Sequence, residues 1–190
     1  MTQPVVAATV TDSEIQAMLA SIVAESLRID PARVTPDTSL VALGAESIDI
    51  VEITMEIEHT FSVLMPEHTI LQLAADVAGP DEPFEEDGAL TSLGVALLQA
   101  RMPDVAATEI SAGMRVRDLS STLTRVGAWI RLIRGLLEVS PRQCPDCRTP
   151  LVQGSPARVR CTVCGREVDL PSGDDIGRAW VREWLAARAG

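Results

Sequence analysis

Four cysteines within 21 residues place the tightest constraint on how this 190-residue chain can fold. They read Cys-x2-Cys, thirteen residues, Cys-x2-Cys, and are Cys144, Cys147, Cys161 and Cys164. This spacing is typical of zinc ribbons, in which each pair closes a tight turn and four thiolates surround the ion tetrahedrally. We therefore predict bound Zn²⁺, with iron as the alternative metal because four cysteines also suit it.

The predicted ribbon module covers residues 141–190. The segments "ARVRC" and "REVDL" indicate short strands, and a terminal helix follows with Ile176, Trp180 and Trp184 on one face. So small a module cannot fold on its own apolar core, so we expect the metal to supply its stability. Four protein sulfurs leave no open coordination position, which favours a structural ion over a catalytic one. The two tryptophans form either a small ribbon core or a docking surface.

The charge of the chain is −11 and lies mostly in its first half. Residues 1–88 hold 17 acidic residues against two arginines, and residues 89–190 hold ten against fourteen; there is no lysine. The acidic front half favours a basic protein partner over nucleic acid. The ribbon module is formally +2, and a Zn(Cys)4 centre of about −2 would bring it near neutral, so no nucleic-acid partner is expected there either.

Targeting signals are not evident in the sequence. No apolar run approaches the ~18 residues of a membrane span, and the first residues lack a secretory signal pattern. The expected compartment is therefore the cytosol, where clustered cysteines bind metal rather than form disulfides.

Apolar periodicity predicts a mainly helical fold. One helix follows a capping box at "TDSE", and a second runs from about Glu46 to Phe61 with Ile50, Ile53 and Ile57 facing the core. Shorter helices are expected at "TILQLAADVA" and "LTSLGVALLQARM", with residues 79–88 between them a linker by composition. From Met114 to Leu137 the spacing of apolar residues alternates between three and four, which predicts one long amphipathic helix.

Ser47 stands at the start of the second helix. Serine is common at helix starts for structural reasons. A hydrolase serine would need a Gly-x-Ser-x-Gly turn and a histidine partner, and His59 lies about three turns along the same helix. We therefore do not expect the chain to be an enzyme.

The segment "LVALGAESIDIVEITMEIEHTF" resembles the signature of acyl carrier proteins. It has an apolar residue, glycine, an acidic residue, serine, an apolar residue, aspartate and then an acidic helix. The preceding "IDPARVTPDTSLVALG" is similar to the family's loop between its first two helices. The resemblance covers about residues 11–66. Its one departure is Glu46-Ser47-Ile48, where the family usually has Asp-Ser-Leu.

The resemblance implies that Ser47 carries 4′-phosphopantetheine, whose thiol holds an acyl chain as a thioester. It implies as partners a phosphopantetheinyl transferase and acyl-transferring or ketosynthase-type enzymes with basic surfaces. The residues expected to contact them are Glu46, Ile48, Asp49, Glu52, Met55 and Glu58. A merely solvated helix face is the alternative reading of the acidic residues.

The predicted architecture is an acyl-carrier-like helical bundle over residues 11–140, after a flexible tail at 1–10. Residues 67–110 are expected to be a helical insertion, with the segment beginning "MRVRDL" as the last bundle helix. In the other division, "TILQLAADVA" closes a small bundle and residues 88–140 form their own module. The added parts indicate a dedicated fatty acid, polyketide or lipid pathway. An unmodified helical and zinc-ribbon adaptor is the alternative function.

Overall fold

The computed structural model of the protein describes residues 10–103, 105–155 and 157–189. Helices make up nearly half of the chain and the strands are short and antiparallel, which confirms the predicted mainly helical class. The predicted tail lies outside the described residues except for Val10, which packs on the first core. The elements are α1 (Asp12–Leu27), α2 (Ser47–Phe61), α3 (Ile70–Ala78), β1 (Glu85–Glu86), β2 (Ala89–Leu90), α4 (Ser92–Arg101), α5 (Ser120–Leu123), α6 (Val126–Val139), β3 (Leu151–Ser155), β4 (Arg158–Cys161), β5 (Glu167–Asp169) and α7 (Gly173–Ala189).

The first core joins α1, α2 and α6. Helix α1 begins at the predicted capping box, in which the Thr11 N–H donates to Glu14 Oε2 at 2.8 Å. Burying the aliphatic faces of the three helices together removes them from water, which is the main force holding this bundle. The fully buried members include Ile15, Leu19, Val23, Ile53, Ile57, Phe61, Val126, Ile133 and Leu137.

The long helix predicted from Met114 to Leu137 is wrong, because the chain breaks at Thr124 and Arg125. A 3₁₀ turn and α5 come before the break, and α6 comes after it. Arg125 is extended, with φ −62° and ψ 135°. The N–H of Val126 donates to Thr38 O at 2.9 Å and that of Gly127 to Pro36 O at 2.9 Å, so the loop before α2 supplies the partners.

The second core collects α3, α4, the β1–β2 hairpin, residues 116–123 and α7. Phe84 lies within the segment predicted to be a linker, yet it is only 1% exposed. The segment is therefore not a free connection: it turns at Asp87 and Gly88, both with positive φ, and pairs β1 with β2. The composition of the segment did not predict the hairpin, because the burial of the single residue Phe84 fixes the segment although most of its other residues are acidic, proline or glycine.

The C-terminal helix α7, which the sequence grouped with the ribbon, packs instead on α3. Trp180 stacks on Trp184 at 6.4 Å between ring centroids, and both pack into the second core beside Phe84. They are therefore not a ribbon core. Gly177 allows α7 to pack closely on α3, because a Cβ at this position would lie 2.5 Å from Leu73 Cδ1.

The start of α7 is fastened by Asp174. Its carboxylate accepts hydrogen bonds from the N–H groups of Glu67 (3.0 Å) and His68 (3.1 Å) and lies 2.6 Å from His68 Nδ1. Burial raises the pKa of this carboxyl, but the hydrogen bonds from His68 and Glu67 outweigh burial and hold the pKa below its usual value. The ionised carboxylate therefore ties α7 to the loop before α3.

The ribbon is the third unit, and it rests on the end of α2. Its strands β3, β4 and β5 pair antiparallel in that order; β4 and β5 match the predicted strands, and β3 was not predicted. Leu64 packs against the ribbon's buried cluster, and Arg142 Nη1 donates to Phe61 O at 3.2 Å. Burial lowers the pKa of Arg142 to about 10. The ribbon thus docks on the loop that follows the acidic helix.

Gly94 and Gly135 both lie within helices, but only at Gly94 does close packing require a glycine. A Cβ at Gly94 would lie 2.1 Å from Phe84 O, whereas one at Gly135 would meet nothing within 4 Å. We expect Gly94→Ala to lower the free energy of unfolding by about 2 kcal/mol through overpacking. Gly135→Ala should raise it by about 0.5–1 kcal/mol through helix propensity. Urea unfolding followed by circular dichroism measures both, and equal effects would contradict the described contact of α4 with Phe84.

Candidate functional site

Ser47 is the first residue of α2 and is exposed to solvent. The chain enters the helix through Gly44, whose φ of +99° lies in the region that favours glycine. The N–H of Glu46, the residue before the helix, donates to Asp49 Oδ2 at 2.7 Å, so this N–H is bound by Asp49 and not by Ser47. The Ser47 hydroxyl makes no hydrogen bond with another described residue. It is therefore available to chemistry rather than occupied as a cap.

Helix α2 has a buried face and an exposed apolar face. Ile53, Ile57 and Phe61 are buried in the first core as predicted. Ile48 and Met55 are 70% and 63% exposed, and Val51, which the sequence analysis did not single out, is 54% exposed. Residues 48, 51 and 55 follow helical spacing, so they form one apolar row, and that spacing was the signal for Val51. We call Ile48, Val51 and Met55 the exposed row.

The predicted partner-contacting acidic residues do not all share one environment. Glu46, Asp49 and Glu52 are not buried and lie beside the exposed row. Glu58 differs, because its Oε1 accepts a hydrogen bond from the Met65 N–H at 2.9 Å. Partial burial raises the pKa of Glu58 although that hydrogen bond opposes the shift. Glu58 therefore fixes the loop after α2, in addition to any role at the surface.

Neither of the two histidines lies beside Ser47 to act as a general base. His59 lies twelve residues farther along α2, about 18 Å by helical rise, and is engaged near Glu56. His68 is bound to Asp174.

A cavity of about 420 Å³ lies between the first and second cores, and we call it the central cavity. Ile50 and Thr54 of α2 line it, and they share a helix face with Ser47 at spacings of three and seven. Leu71 and Leu73 of α3, Met102 after α4 and Leu132 of α6 are among the apolar residues around it. Arg101 and Arg131 also line it. Its volume lies in the ordinary range for sites that hold small molecules.

The four cysteines converge as the sequence predicted, with their sulfur atoms within 4.8 Å of one another. The Sγ atoms of Cys144 and Cys164 are 3.5 Å apart, and those of Cys147 and Cys161 are 3.4 Å apart. A tetrahedral zinc ion with Zn–S distances of ~2.3 Å would separate its sulfurs by about 3.8 Å. The spacing of the donors therefore fits such an ion.

The electrostatics of the cluster also suit a cation. Hydrogen bonding with the Thr149 hydroxyl and amide, and to a smaller extent with Cys161, lowers the pKa of the Cys147 thiol to about 6. At Cys164 the Arg166 amide lowers the pKa, but the sulfurs of Cys144 and Cys161 outweigh it and raise the pKa to about 12. Four close sulfurs cannot all ionise without a positive charge among them. A divalent ion among the four sulfurs would supply that charge.

Comparison with known proteins agrees with the geometry around Ser47. Residues 18–78 match the family described as phosphopantetheine attachment site. The acyl carrier protein of Helicobacter pylori (strain G27) is 44% identical over 48 residues, which cover 25% of this chain and 62% of that protein. The acyl carrier protein of strain J99 is 42% identical over the same length. No solved structure matches the chain.

These matches support an acyl-carrier-like domain in the N-terminal region and, with it, a phosphopantetheine site. They are partial, because the chain spans about three fifths of the length of the curated relatives it matches. The matched segment ends at residue 78, the last residue of α3, so it does not include α6 or the ribbon. No described helix is long and apolar enough to cross a membrane.

Proposed function

We propose that the protein is an acyl carrier whose Ser47 bears 4′-phosphopantetheine and tethers acyl intermediates as thioesters. The observation that carries the proposal is that Ser47 is exposed, that its hydroxyl bonds to no other described residue, and that it begins an acidic helix inside the segment that matches phosphopantetheine attachment sites. A tethered thioester is presented to successive partner enzymes at high effective concentration.

The chemistry of attachment suits the start of a helix. A transferase would form a phosphodiester between the serine oxygen and phosphopantetheine of coenzyme A, releasing adenosine 3′,5′-bisphosphate. The serine needs no base of its own, since the transferase would supply it. The first N–H groups of α2 have no partners within the helix, and together with the helix dipole they favour the phosphate charge.

An intact-mass experiment with a matched control serine tests the attachment. Ser92 is also exposed and also the first residue of a helix, α4, but it lies outside the matched segment. After incubation with coenzyme A and a broad-specificity phosphopantetheinyl transferase, we expect wild type and Ser92→Ala to gain one phosphopantetheine and Ser47→Ala to gain none.

The same experiment decides between the carrier and the alternative function. Absence of any mass gain on a folded wild-type protein would contradict the carrier proposal and favour an unmodified adaptor. A gain that persists in Ser47→Ala would place the arm on another residue.

We further propose that the exposed row of α2 and its flanking carboxylates form the surface that partner enzymes recognise. Apolar side chains at this exposure, ringed by Asp49 and Glu52, suit a partner with an apolar contact inside a basic rim. The transferase and acyl-transferring or ketosynthase-type enzymes are the partners to which such a surface would bind.

Charge reversal on this surface should slow loading of the arm. We expect Glu52→Arg to lower the kcat/KM of the transferase about tenfold, because it places like charge opposite a basic rim. Glu183→Arg changes an exposed acidic residue of α7 and serves as the control with unchanged kcat/KM. Equal kcat/KM values for Glu52→Arg and Glu183→Arg would contradict the proposal that the transferase recognises α2.

We propose that the ribbon binds one structural zinc ion through Cys144, Cys147, Cys161 and Cys164. The support is the fit of sulfur spacing to a tetrahedral ion and the small size of the ribbon's own buried cluster. Zinc binding in modules of this size contributes folding free energy of order 10 kcal/mol, so the ribbon's structure would depend on it.

Metal analysis and a ligand substitution test this assignment. We expect a colourless protein with one zinc per chain, whereas a coloured protein with iron would identify the alternative metal. Cys161→Ser should lose the ion and the ordered amide signals of residues 142–170 in NMR spectra. The far-ultraviolet circular dichroism of the helices should persist, because α1, α2 and α6 share a separate core. An unchanged ribbon without metal would contradict the proposal.

A further inference from the structure

The position of the central cavity connects it to Ser47. Ser47, Ile50 and Thr54 lie on one face of α2, and the last two line the cavity. Thr54 is about 10 Å from Ser47 along the helix axis. A flexible arm attached at Ser47 therefore reaches the cavity without crossing the exposed row, which faces another direction. The walls come from both cores, so the cavity exists only because the second core is present.

One feature of the lining does not suit a purely apolar occupant. Arg101, the last residue of α4, is only partly exposed and lines the cavity. Its guanidinium lies over the ring of Trp180, 5.2 Å from the centroid. No ion pair joins Arg101 to a carboxylate of the described residues. A guanidinium held at an apolar cavity by an aromatic ring is placed to bind an anion.

The charges around Arg101 strengthen this argument. Arg131 lines the same cavity, and burial followed by the Arg131 charge lowers the pKa of Arg101. Glu67 also lines the cavity, but its side chain is exposed and its N–H is bound to Asp174. His68 at the same rim is engaged with Asp174 as well. An incoming anion would therefore relieve an unfavourable positive charge at Arg101.

We propose that the central cavity receives the far end of the tethered cargo, and that this cargo is an acyl chain with a carboxylate or similar anionic group remote from the thioester, paired with Arg101. The inference rests on the proposed carrier function and narrows its substrate class. Apolar walls accept the chain, and the guanidinium of Arg101, which has no ion pair among the described residues, selects its charged end.

Two acyl chains that differ only at the far end test the selectivity. Wild-type protein is loaded at Ser47 with decanedioyl or with decanoyl phosphopantetheine, and cleavage of each thioester by hydroxylamine is timed. A chain that binds in the cavity draws its thioester toward the protein and slows cleavage. We expect the decanedioyl thioester to be cleaved about tenfold more slowly, the factor that one additional charged hydrogen bond supplies.

Variants assign the effect to Arg101. Arg101→Gln should make the two cleavage rates equal, Arg101→Lys should keep most of the difference, and Arg182→Gln, an exposed arginine on α7, should keep all of it. Equal rates in wild type overturn the inference without any variant, so a folding defect in Arg101→Gln cannot hide the answer. A difference that survives in a folded Arg101→Gln protein also overturns it.

Loading itself separates this inference from the proposed function. Mass spectrometry reports whether the arm is on Ser47 before any rate is measured. If Ser47 accepts no arm, the carrier function and the cargo assignment fall together. If both arms load and their thioesters are cleaved equally fast, the carrier function stands and the anionic cargo alone is contradicted.

Discussion

The backbone contact between residues 36–40 and 124–127 decides how the rest of the molecule is arranged. Leu40 N–H donates to Thr124 O at 3.0 Å, and Val126 and Gly127 donate back to Thr38 and Pro36. Gly127 permits the approach, because a Cβ there would lie 3.1 Å from Pro36 O. These bonds end one helical run and start another. As a result Leu119 packs in the second core and Val126 packs in the first.

The amphipathic segment of residues 114–137 is divided between the two cores, and the central cavity lies between them. Ala128 and Leu132 of α6 reach the cavity from just beyond the break, and Ile50 reaches it from α2. Each core has fully buried side chains of its own, and the cavity remains between them. A cavity that opens beside a helix face carrying Ser47 is thus a consequence of the break at Arg125 and not of α2 alone.

Features that depend on local sequence patterns were predicted correctly, whereas features that depend on contacts with residues distant in the sequence were not. Apolar spacing placed α2 and its buried residues correctly, and the cysteine spacing placed the four sulfurs together. Apolar spacing also predicted one helix over residues 114–137. No residue within that segment indicates that the N–H groups of Val126 and Gly127 will donate to Thr38 and Pro36. Composition likewise gave a linker where Phe84 is buried. Arg101 was missed since its meaning depends on Trp180, which is 79 residues away in the sequence.

The segment that matches known carrier proteins does not end where the first core ends. It includes α3, which belongs to the second core. The matched segment includes α3, yet α3 packs on α7 and α4 in the second core. Helix α6, which lies outside the match, packs on α1 instead. Helix α6 packs in the first core and α3 in the second, and the loop between α2 and α3 is held by Glu58 and Asp174. Ser47 itself stays exposed, while Ile50 and Thr54 on the same face of α2 border the cavity between the two cores.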